Sequence, residues 1–397
     1  MKPLLYSVLP RPAHPTRDGL AIRNYHLLEA IAGEFRVRAF ALAAEKSRGT
    51  GEYPAGVDVE EIPWSGTRIA RAAAAGRSLV SGEAIPILLY RSGKMAARLA
   101  EAASRERPEW IVAHSYHVAQ AAFAAGGAPA WVDFHNVDSE IWRRLGEENH
   151  GMTAAVARWQ APRVARAEGS IAAKARRVSC VSERDARALA AAGAKDPLEV
   201  PNGADLERYA FRAEPPAGQT IFFVGDLSWP PNAEGIAWFC EQIWPLIARL
   251  APEARVEILG RGGGGRLPAL IRNPPARVAF LGEGDDTRPH WERAALGIVP
   301  LKAGGGTRLK ILEAAACGVP VVSTPIGAEG LAFERRSEIV LAAEAEEFAT
   351  SVARLLADPE ARRAQAAAAR RRVEQLYDWR RIGGMLADAL RRGVAAA

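Results

Sequence analysis

Short apolar runs alternate along the whole chain with longer stretches in which apolar positions recur every three or four residues. The runs at 4–9, 37–42, 57–62, 110–113, 130–134 and 177–181 read as strands, with helices beginning near Gly19, Thr67 and Asp138. A second series opens at Ile221-Phe222-Phe223-Val224-Gly225 and continues at 255–259, 278–281, 296–300 and 319–323. Strands alternating with helices in this way predict βαβ units and parallel sheets. Between the series, Val200-Pro201-Asn202-Gly203-Ala204-Asp205 and then Ala213-Glu214-Pro215-Pro216-Ala217-Gly218 gather turn residues, as at a domain boundary. The expectation is therefore an α/β chain of two Rossmann-like domains, 1–205 and 206–375, followed by a terminal segment 376–397. Two such domains leave a crevice at the carboxyl ends of their strands, where open α/β sheets bind ligands.

Composition narrows the function classes. A chain of 397 residues has room for two or three domains at about 150 residues each. Hydrophobic residues make up 49% and charged residues 25%, and no apolar run approaches the roughly 20 residues of a bilayer crossing. The opening stretch ends at Pro10 and Pro12 with no small-residue cleavage site, and reads as a first strand rather than a signal peptide. Three scattered cysteines, Cys180, Cys240 and Cys317, suggest neither a disulfide framework nor a zinc cage, and a cytoplasmic, reducing compartment is expected. The net charge of +6 suits a phosphorylated ligand, an anionic membrane surface or nucleic acid. Nucleic acid is the poorest fit, because the basic residues are scattered and no recognised module appears. The block Arg370-Arg371-Arg372 reads as a solvated helix face.

The segment with most chemistry runs from Val299-Pro300-Leu301-Lys302-Ala303 through Gly304-Gly305-Gly306-Thr307-Arg308 to Leu309-Lys310-Ile311-Leu312-Glu313 and Gly318. It predicts a strand, a glycine loop and a helix with Thr307 as N-cap and Gly318 as C′ residue. Successive glycines admit a ligand close to the backbone, and free amides at a helix start attract anions. Lys302, Arg308 and Lys310 add positive charge, so a diphosphate fits better than a neutral ligand. Glu313 falls at the edge of the helix's apolar arc, which leaves two readings: an i,i+3 pair with Lys310, or a carboxylate accepting hydrogen bonds from a ligand's paired hydroxyls. The run Gly260-Arg261-Gly262-Gly263-Gly264-Gly265 lacks the dinucleotide fingerprint of a first βαβ unit, which argues against a nicotinamide site. Trp229 and Trp238 read as packing residues.

These motifs, together with Phe223-Val224-Gly225, Phe280-Leu281-Gly282, Gly318-Val319-Pro320-Val321-Val322-Ser323-Thr324 and Gly327-Ala328-Glu329-Gly330-Leu331, closely resemble the donor half of retaining glycosyltransferases of family 4, which have the GT-B fold. Val181-Ser182-Glu183 and the 200–205 stretch extend the resemblance. Within that family the chain looks most like bacterial sugar transferases of exopolysaccharide clusters that carry the GGGTRLKILEA form. The resemblance implies donor contacts from Gly19, Gly225, Arg261, Leu281, Gly282, Gly304, Gly305, Gly306, Thr307, Arg308, Leu309, Lys310 and Glu313. It puts Glu313 on the donor ribose, the loop amides on the diphosphate and sugar, and the base near the loop after Gly282. It also implies a closing helix that crosses back to the N-terminal domain.

Two departures stand out. The family's paired glutamates lie eight positions apart, and eight before Glu313 is Gly305. After Gly225, where many members carry an Arg and then a Lys for the phosphates, this chain reads Asp226-Leu227-Ser228-Trp229-Pro230-Pro231-Asn232, so Arg308, Lys310, Lys302 or Arg261 is expected to supply that charge.

The N-terminal half would hold the acceptor. Pro15-Thr16-Arg17-Asp18-Gly19-Leu20 opens the first helix, and Arg23 one turn later either reaches the cleft or sits on the helix surface, the commoner case. Ala113-His114-Ser115-Tyr116-His117 and Asp133-Phe134-His135-Asn136-Val137-Asp138 each end a strand, which places candidates in the cleft. His135, His114, His117 and Arg308 are the catalytic candidates, with Arg23, Asn136 and Asp138 on the acceptor side; for each histidine a structural role is the commoner case. No metal-ligand spacing is present and no cofactor is implied beyond the nucleotide sugar, UDP- or GDP-linked, as co-substrate. The acceptor would be a hydroxyl on a glycan, lipid-linked or small molecule. The charge left over, in Arg-rich first and last helices, fits peripheral contact with the inner membrane face. Two other classes stand beside this one: a GT-B epimerase or phosphorylase, of which the epimerase would need no acceptor, and a non-catalytic nucleotide-binding partner, which would release no diphosphate.

Overall fold

The first apolar run, Leu4–Leu9, is buried at every position, as a parallel strand covered on both faces by helices must be. In the computed structural model, which describes residues 2–14, 18–44, 53–148, 150–263, 265, 267–284 and 286–395, it is β1 of a seven-stranded parallel sheet. The others are β2 (Arg36–Ala43), β3 (Val57–Pro63), β4 (Trp110–Ala113), β5 (Ala130–Phe134), β6 (Arg177–Cys180) and β7 (Leu198–Glu199). Their order is β3-β2-β1-β4-β5-β6-β7, so the winding reverses between β1 and β4.

The second sheet contains β8 (Thr220–Val224), β9 (Arg255–Leu259), β10 (Val278–Gly282), β11 (Leu296–Val299), β12 (Val321–Ser323) and β13 (Val340–Leu341). Its order is β10-β9-β8-β11-β12-β13, again parallel, with the reversal between β8 and β11. The short β7 and β13 lie outside the expected strands. β12 begins two residues later than expected, because Val319 N–H closes the preceding helix on the Ala314 carbonyl and Pro320 has no N–H to donate. Each sheet has its own apolar core.

The chain divides into two units, Met1–Pro201 with Arg380–Ala397, and Asn202–Trp379. The first division falls four residues before the expected boundary at 205, and the second falls at 379/380 rather than 375/376. Helix Trp379–Ala395 packs from Arg380 onward on the first unit. There Trp110 Nε1 donates to the Leu390 carbonyl at 3.1 Å, and Arg391 pairs with Glu34. Among the described residues no helix is long and apolar enough to cross a membrane.

Adjacent glycines in this last helix test its seat. A Cβ at Gly383 would lie 2.3 Å from the Ala30 Cβ, whereas one at Gly384 meets nothing within 4 Å. Gly383→Leu is expected to lower stability by about 1–3 kcal/mol through overpacking. Gly384→Ala should raise it by up to ~1 kcal/mol through helix propensity. Urea unfolding of both variants measures the opposite signs.

Candidate active site

In the second unit the reversal of strand order sets the loops after β8 and β11 side by side, the place where an open α/β sheet receives ligands. The loop after β11 is the glycine run. Gly304 sits at φ +149°, and a Cβ there would lie 2.3 Å from Arg308 Nη2, so only glycine lets the arginine fold back over its own loop. Arg308 is buried. Its Nη1 donates to the carbonyls of Gly305 and Gly306, and its guanidinium lies 5.8 Å from the Trp229 ring. The expected N-cap is corrected here: Arg308 caps helix Leu309–Cys317 with no side-chain bond, and Thr307 instead accepts from Asn202 Nδ2 at 2.9 Å. The first turn therefore starts without a capping side chain, in keeping with an anion-binding end. Gly318 takes the left-handed C-cap as expected.

Lys310 does not pair with Glu313. Its Nζ donates to Asn232 Oδ1 at 3.1 Å and sits 3.9 Å from the Phe223 ring centroid, beneath the loop that follows β8. A Cβ at Gly225 would lie 2.7 Å from that Nζ, so glycine there is what admits the ammonium. Burial, helped by the neighbouring Arg308 charge, pushes Lys310 down to about 7. Glu313 is buried on the same helix; Trp291 Nε1 donates to it at 3.4 Å and the Tyr209 hydroxyl is a second donor. Burial raises its pKa against these donors and against the charges of Arg208 and Lys310.

The remaining cations differ in their ties. Arg261 holds Asp226 at 3.1 Å and Glu283 at 3.8 Å, while Lys302 is exposed with Nζ 4.4 Å from the Trp238 ring. Leu281 lies at a register shift in edge strand β10 and is 40% exposed beside Gly282, a rim position open to a flat apolar ligand group. Gly264 falls outside the described residues.

In the first unit, the reversal of strand order brings the loops after β1 and β4 to one edge, with the loop after β5 adjacent. Gly19 starts helix Gly19–Glu34 exposed, capped by Asp18, which accepts from Ala21 N–H at 3.1 Å; Pro15, Thr16 and Arg17 lie outside the described residues. Arg23 is neither on the helix surface nor open to a ligand. It is 1% exposed, grips Asp133 through Nε at 2.9 Å and Nη2 at 2.8 Å, and donates from Nη1 to the Pro201 carbonyl at 3.0 Å. Ser179 Oγ donates to the same carboxylate at 2.6 Å and itself accepts from Trp131 Nε1 at 2.9 Å. Burial alone would raise the Asp133 pKa, and the Arg23 guanidinium holds it well below the usual carboxylate range instead.

His135 Nε2 lies 3.2 Å from Asp133 Oδ2, which turns the ring toward this buried pair. His114 is fully buried with Nε2 3.2 Å from Ser7 Oγ, and burial pushes it down to about 3, so it is a neutral imidazole. His117 is partly exposed, between the Tyr116 and Tyr90 rings, with Nδ1 2.6 Å from Ser115 Oγ and Nε2 3.5 Å from Asp138 Oδ2. Burial, with His135 and Arg11 nearby, lowers its pKa.

Asp138 accepts from the Tyr116 hydroxyl at 2.9 Å and from Asn136, yet burial raises it to about 6. Its neighbour Glu168, in helix Gly151–Lys174, accepts from the amides of Asp138 at 2.6 Å and Ser139 at 3.3 Å; burial and the Asp138 charge push it up to about 8. Asn202, Tyr209, Asn232, Trp291 and Glu168 were not among the expected site residues. Asn202 and Asn232 fall in stretches the sequence analysis quotes without giving them a role, the other three carry no motif, and only the fold brings all five beside the expected residues. Among the described residues no group of three or more His, Cys, Asp or Glu side chains is placed to hold a metal ion.

Two doubly wound parallel sheets, one with an uncapped, cation-rich glycine loop at its switch point, define an open α/β class, in which ligands bind at the carboxyl ends of the strands. Residues 18–203 match the family model "Glycosyl transferase 4-like domain" and residues 218–358 match "Glycosyl transferases group 1". Each unit of the chain thus carries one glycosyltransferase-type domain. It is 29% identical over 192 residues to the phosphatidyl-myo-inositol mannosyltransferase of Mycolicibacterium smegmatis, a match covering 46% of this chain and 49% of that protein. The chain thus spans about half the length, 49%, of that curated relative. Among solved structures, sucrose-phosphate synthase from Thermosynechococcus elongatus aligns over 100% of both chains with a TM-score of 0.77 at 15% identity. Anabaena HepE in complex with UDP-glucose aligns over 98% of this chain and 99% of its own with a TM-score of 0.68 at 17% identity. The fold is GT-B.

The Arg23–Asp133 pair generates a stability prediction. Arg23→Leu strands a buried carboxylate and is expected to cost about 3–5 kcal/mol. Arg23→Leu/Asp133→Leu should recover part of that loss. Denaturant midpoints of the two variants against the parent measure the difference.

Proposed function

We propose that this protein transfers a glycosyl unit from a UDP- or GDP-linked sugar to a hydroxyl acceptor, with retention at the anomeric carbon, in bacterial polysaccharide or glycoconjugate synthesis. The observation that carries this reading is the grouping on one loop and helix of the glycine run 304–306, the cations Arg308 and Lys310, and the buried carboxylate of Glu313. UDP-glucose is bound by HepE, a protein of the same fold, which supports a nucleotide-sugar donor.

The chemistry follows from charge. The bond from the anomeric carbon to the diphosphate oxygen breaks and leaves negative charge on the diphosphate, which amides of the glycine loop and the Lys310 ammonium stabilise without reorganising. Lys310, rising from beneath Gly225, takes the place of the cations that many members carry after that glycine. Glu313, steadied by Trp291 and Tyr209, accepts from the paired ribose hydroxyls. In retention by same-face attack, the acceptor oxygen bonds to the anomeric carbon as its proton passes to the departing diphosphate oxygen. No carboxylate nucleophile and no metal ion takes part in this scheme.

The acceptor side is assigned to the first unit, with His135, Asn136 and Asp138 foremost and His114 and His117 beside them. Arg23 positions this group through Asp133 and touches no acceptor. The lipid named in the mannosyltransferase relative supports an acceptor held at a membrane, and the reading places the protein on the cytoplasmic face.

Two measurements test the donor site. Glu313→Gln should keep the fold and weaken UDP or GDP binding about tenfold to a hundredfold, the worth of hydrogen bonds to a charged group. Calorimetric titration reads this, and unchanged affinity for both nucleotides would remove Glu313 from the ribose. Lys310 attracts the diphosphate only when protonated, and in the free protein it loses its proton near pH 7. Raising the pH above 7 is therefore expected to lower nucleotide affinity by up to about tenfold per pH unit. Lys310→Met should bind more weakly at pH 6 and show a flat profile.

A further inference from the structure

Four large apolar side chains are more than 70% exposed among the described residues, and three of them, Ile69, Leu79 and Val80, stand on one helix, Arg68–Ser81. At about 100° per residue Ile69 and Val80 are roughly 20° apart and Leu79 is about 80° to one side. Only Ala74 and Ser78 of this helix are buried, on the opposite face. On the outward arc Ala72 and Gly76 lie between the apolar side chains and Ala73 just beyond Val80, and Arg68 and Arg77 flank the arc, one on each border. The helix carries three arginines and no acid. Its buried side is tied down: Ser78 Oγ donates to the Glu83 carbonyl at 2.5 Å, Gln160 Nε2 donates to Ser78 Oγ at 3.2 Å, and Gln160 Oε1 accepts from Ile85 N–H at 2.9 Å. The apolar arc is thus held facing outward.

We propose that helix Arg68–Ser81 is a membrane-docking surface that lies in the interface of an anionic bilayer, with Ile69, Leu79 and Val80 entering the acyl boundary and Arg68 and Arg77 reaching the lipid phosphates. Charge complementarity selects this occupant: an apolar face bordered by arginines and free of acids matches negatively charged headgroups. The flanking arginines can lay their methylene stems along the apolar face while the guanidinium groups stay in water. A protein partner fits less well, since the arc is built from small residues and lacks the Trp or Tyr anchors that dominate protein interfaces. The first helix is not the basic face expected from the sequence, because its one arginine, Arg23, is buried on Asp133. This inference deepens the membrane part of the proposed function, and nucleotide binding is measured without lipid, so failure of either leaves the other standing.

The test is co-sedimentation of the full chain with vesicles of phosphatidylglycerol and phosphatidylcholine in equal parts, against pure phosphatidylcholine, at low and high salt. Binding is expected to the anionic vesicles and to weaken with salt. Arg68→Gln/Arg77→Gln should lower partitioning about 25-fold, near fivefold per arginine at the surface. Ile69→Asn/Leu79→Asn/Val80→Asn should lower it at least about tenfold with an unchanged melting temperature, since all three side chains are already in water. A control in the second unit, Arg354→Gln/Arg371→Gln, should stay within about twofold of the parent. The proposal is overturned if phosphatidylglycerol confers no preference, if either helix variant binds as the parent does, or if the control loses as much. A parent that ignores lipid but self-associates, and becomes monomeric in the Asn variant, would assign the face to a second copy and also overturn it.

Discussion

Parallel pairing puts the carboxyl end of every strand in a sheet on one edge, and reversal of the strand order opens a place on that edge where no crossover helix lies. Everything functional in either unit follows from this constraint. In the second sheet it brings the loop after β8 to the loop after β11, so Gly225 lies over the Lys310 ammonium although the two are far apart in sequence. In the first sheet it gathers His114, His117 and His135 onto a common edge, with Asp133 and Asp138 behind and beside them.

The charges at these edges are held in different ways, and the difference matters for function. Arg23 and Asp133 are saturated: every oxygen of the carboxylate has donors, and the pair is sealed from water. Such a pair adds little net stability, but it fixes the backbone from which His135 and Asn136 project. Lys310 and Glu313 share a helix yet face different partners, an asparagine and an aromatic ring for one, an indole and a phenol for the other. Burial works against the charged form of both, so an anion beside the lysine or a hydroxyl pair beside the glutamate relieves a cost already present in the empty fold. The proposed stabilisation of a departing diphosphate relies on preorganisation of this kind.

Much of this was legible from local pattern. Period-two and continuous apolar runs marked all the long strands, and glycine spacing marked the loop at 304–306 together with the αL cap at Gly318. Thr307 misled, because its hydroxyl met a partner from a distant segment, Asn202, and the helix began one residue later than that cap implies. Lys310 and Glu313 have i,i+3 spacing, yet Asn232 and Phe223 lie nearer to the ammonium than the carboxylate does. Arg23 was readable as a surface or cleft residue only because nothing in its own neighbourhood announces Asp133, which lies 110 positions away. Tyr209, Trp291 and Glu168 carry no signature of a site for the same reason.

By itself, then, the sequence determined the two wound halves, the glycine loop and the glycosyltransferase character of each half, since each is written in residues that interact within a turn or a strand of one another. Tertiary structure alone decided which charges are neutralised, which histidines are neutral and which helix presents its apolar face to solvent. Those properties depend on partners brought together across hundreds of residues, and on how much water the packing of both sheets leaves around each group.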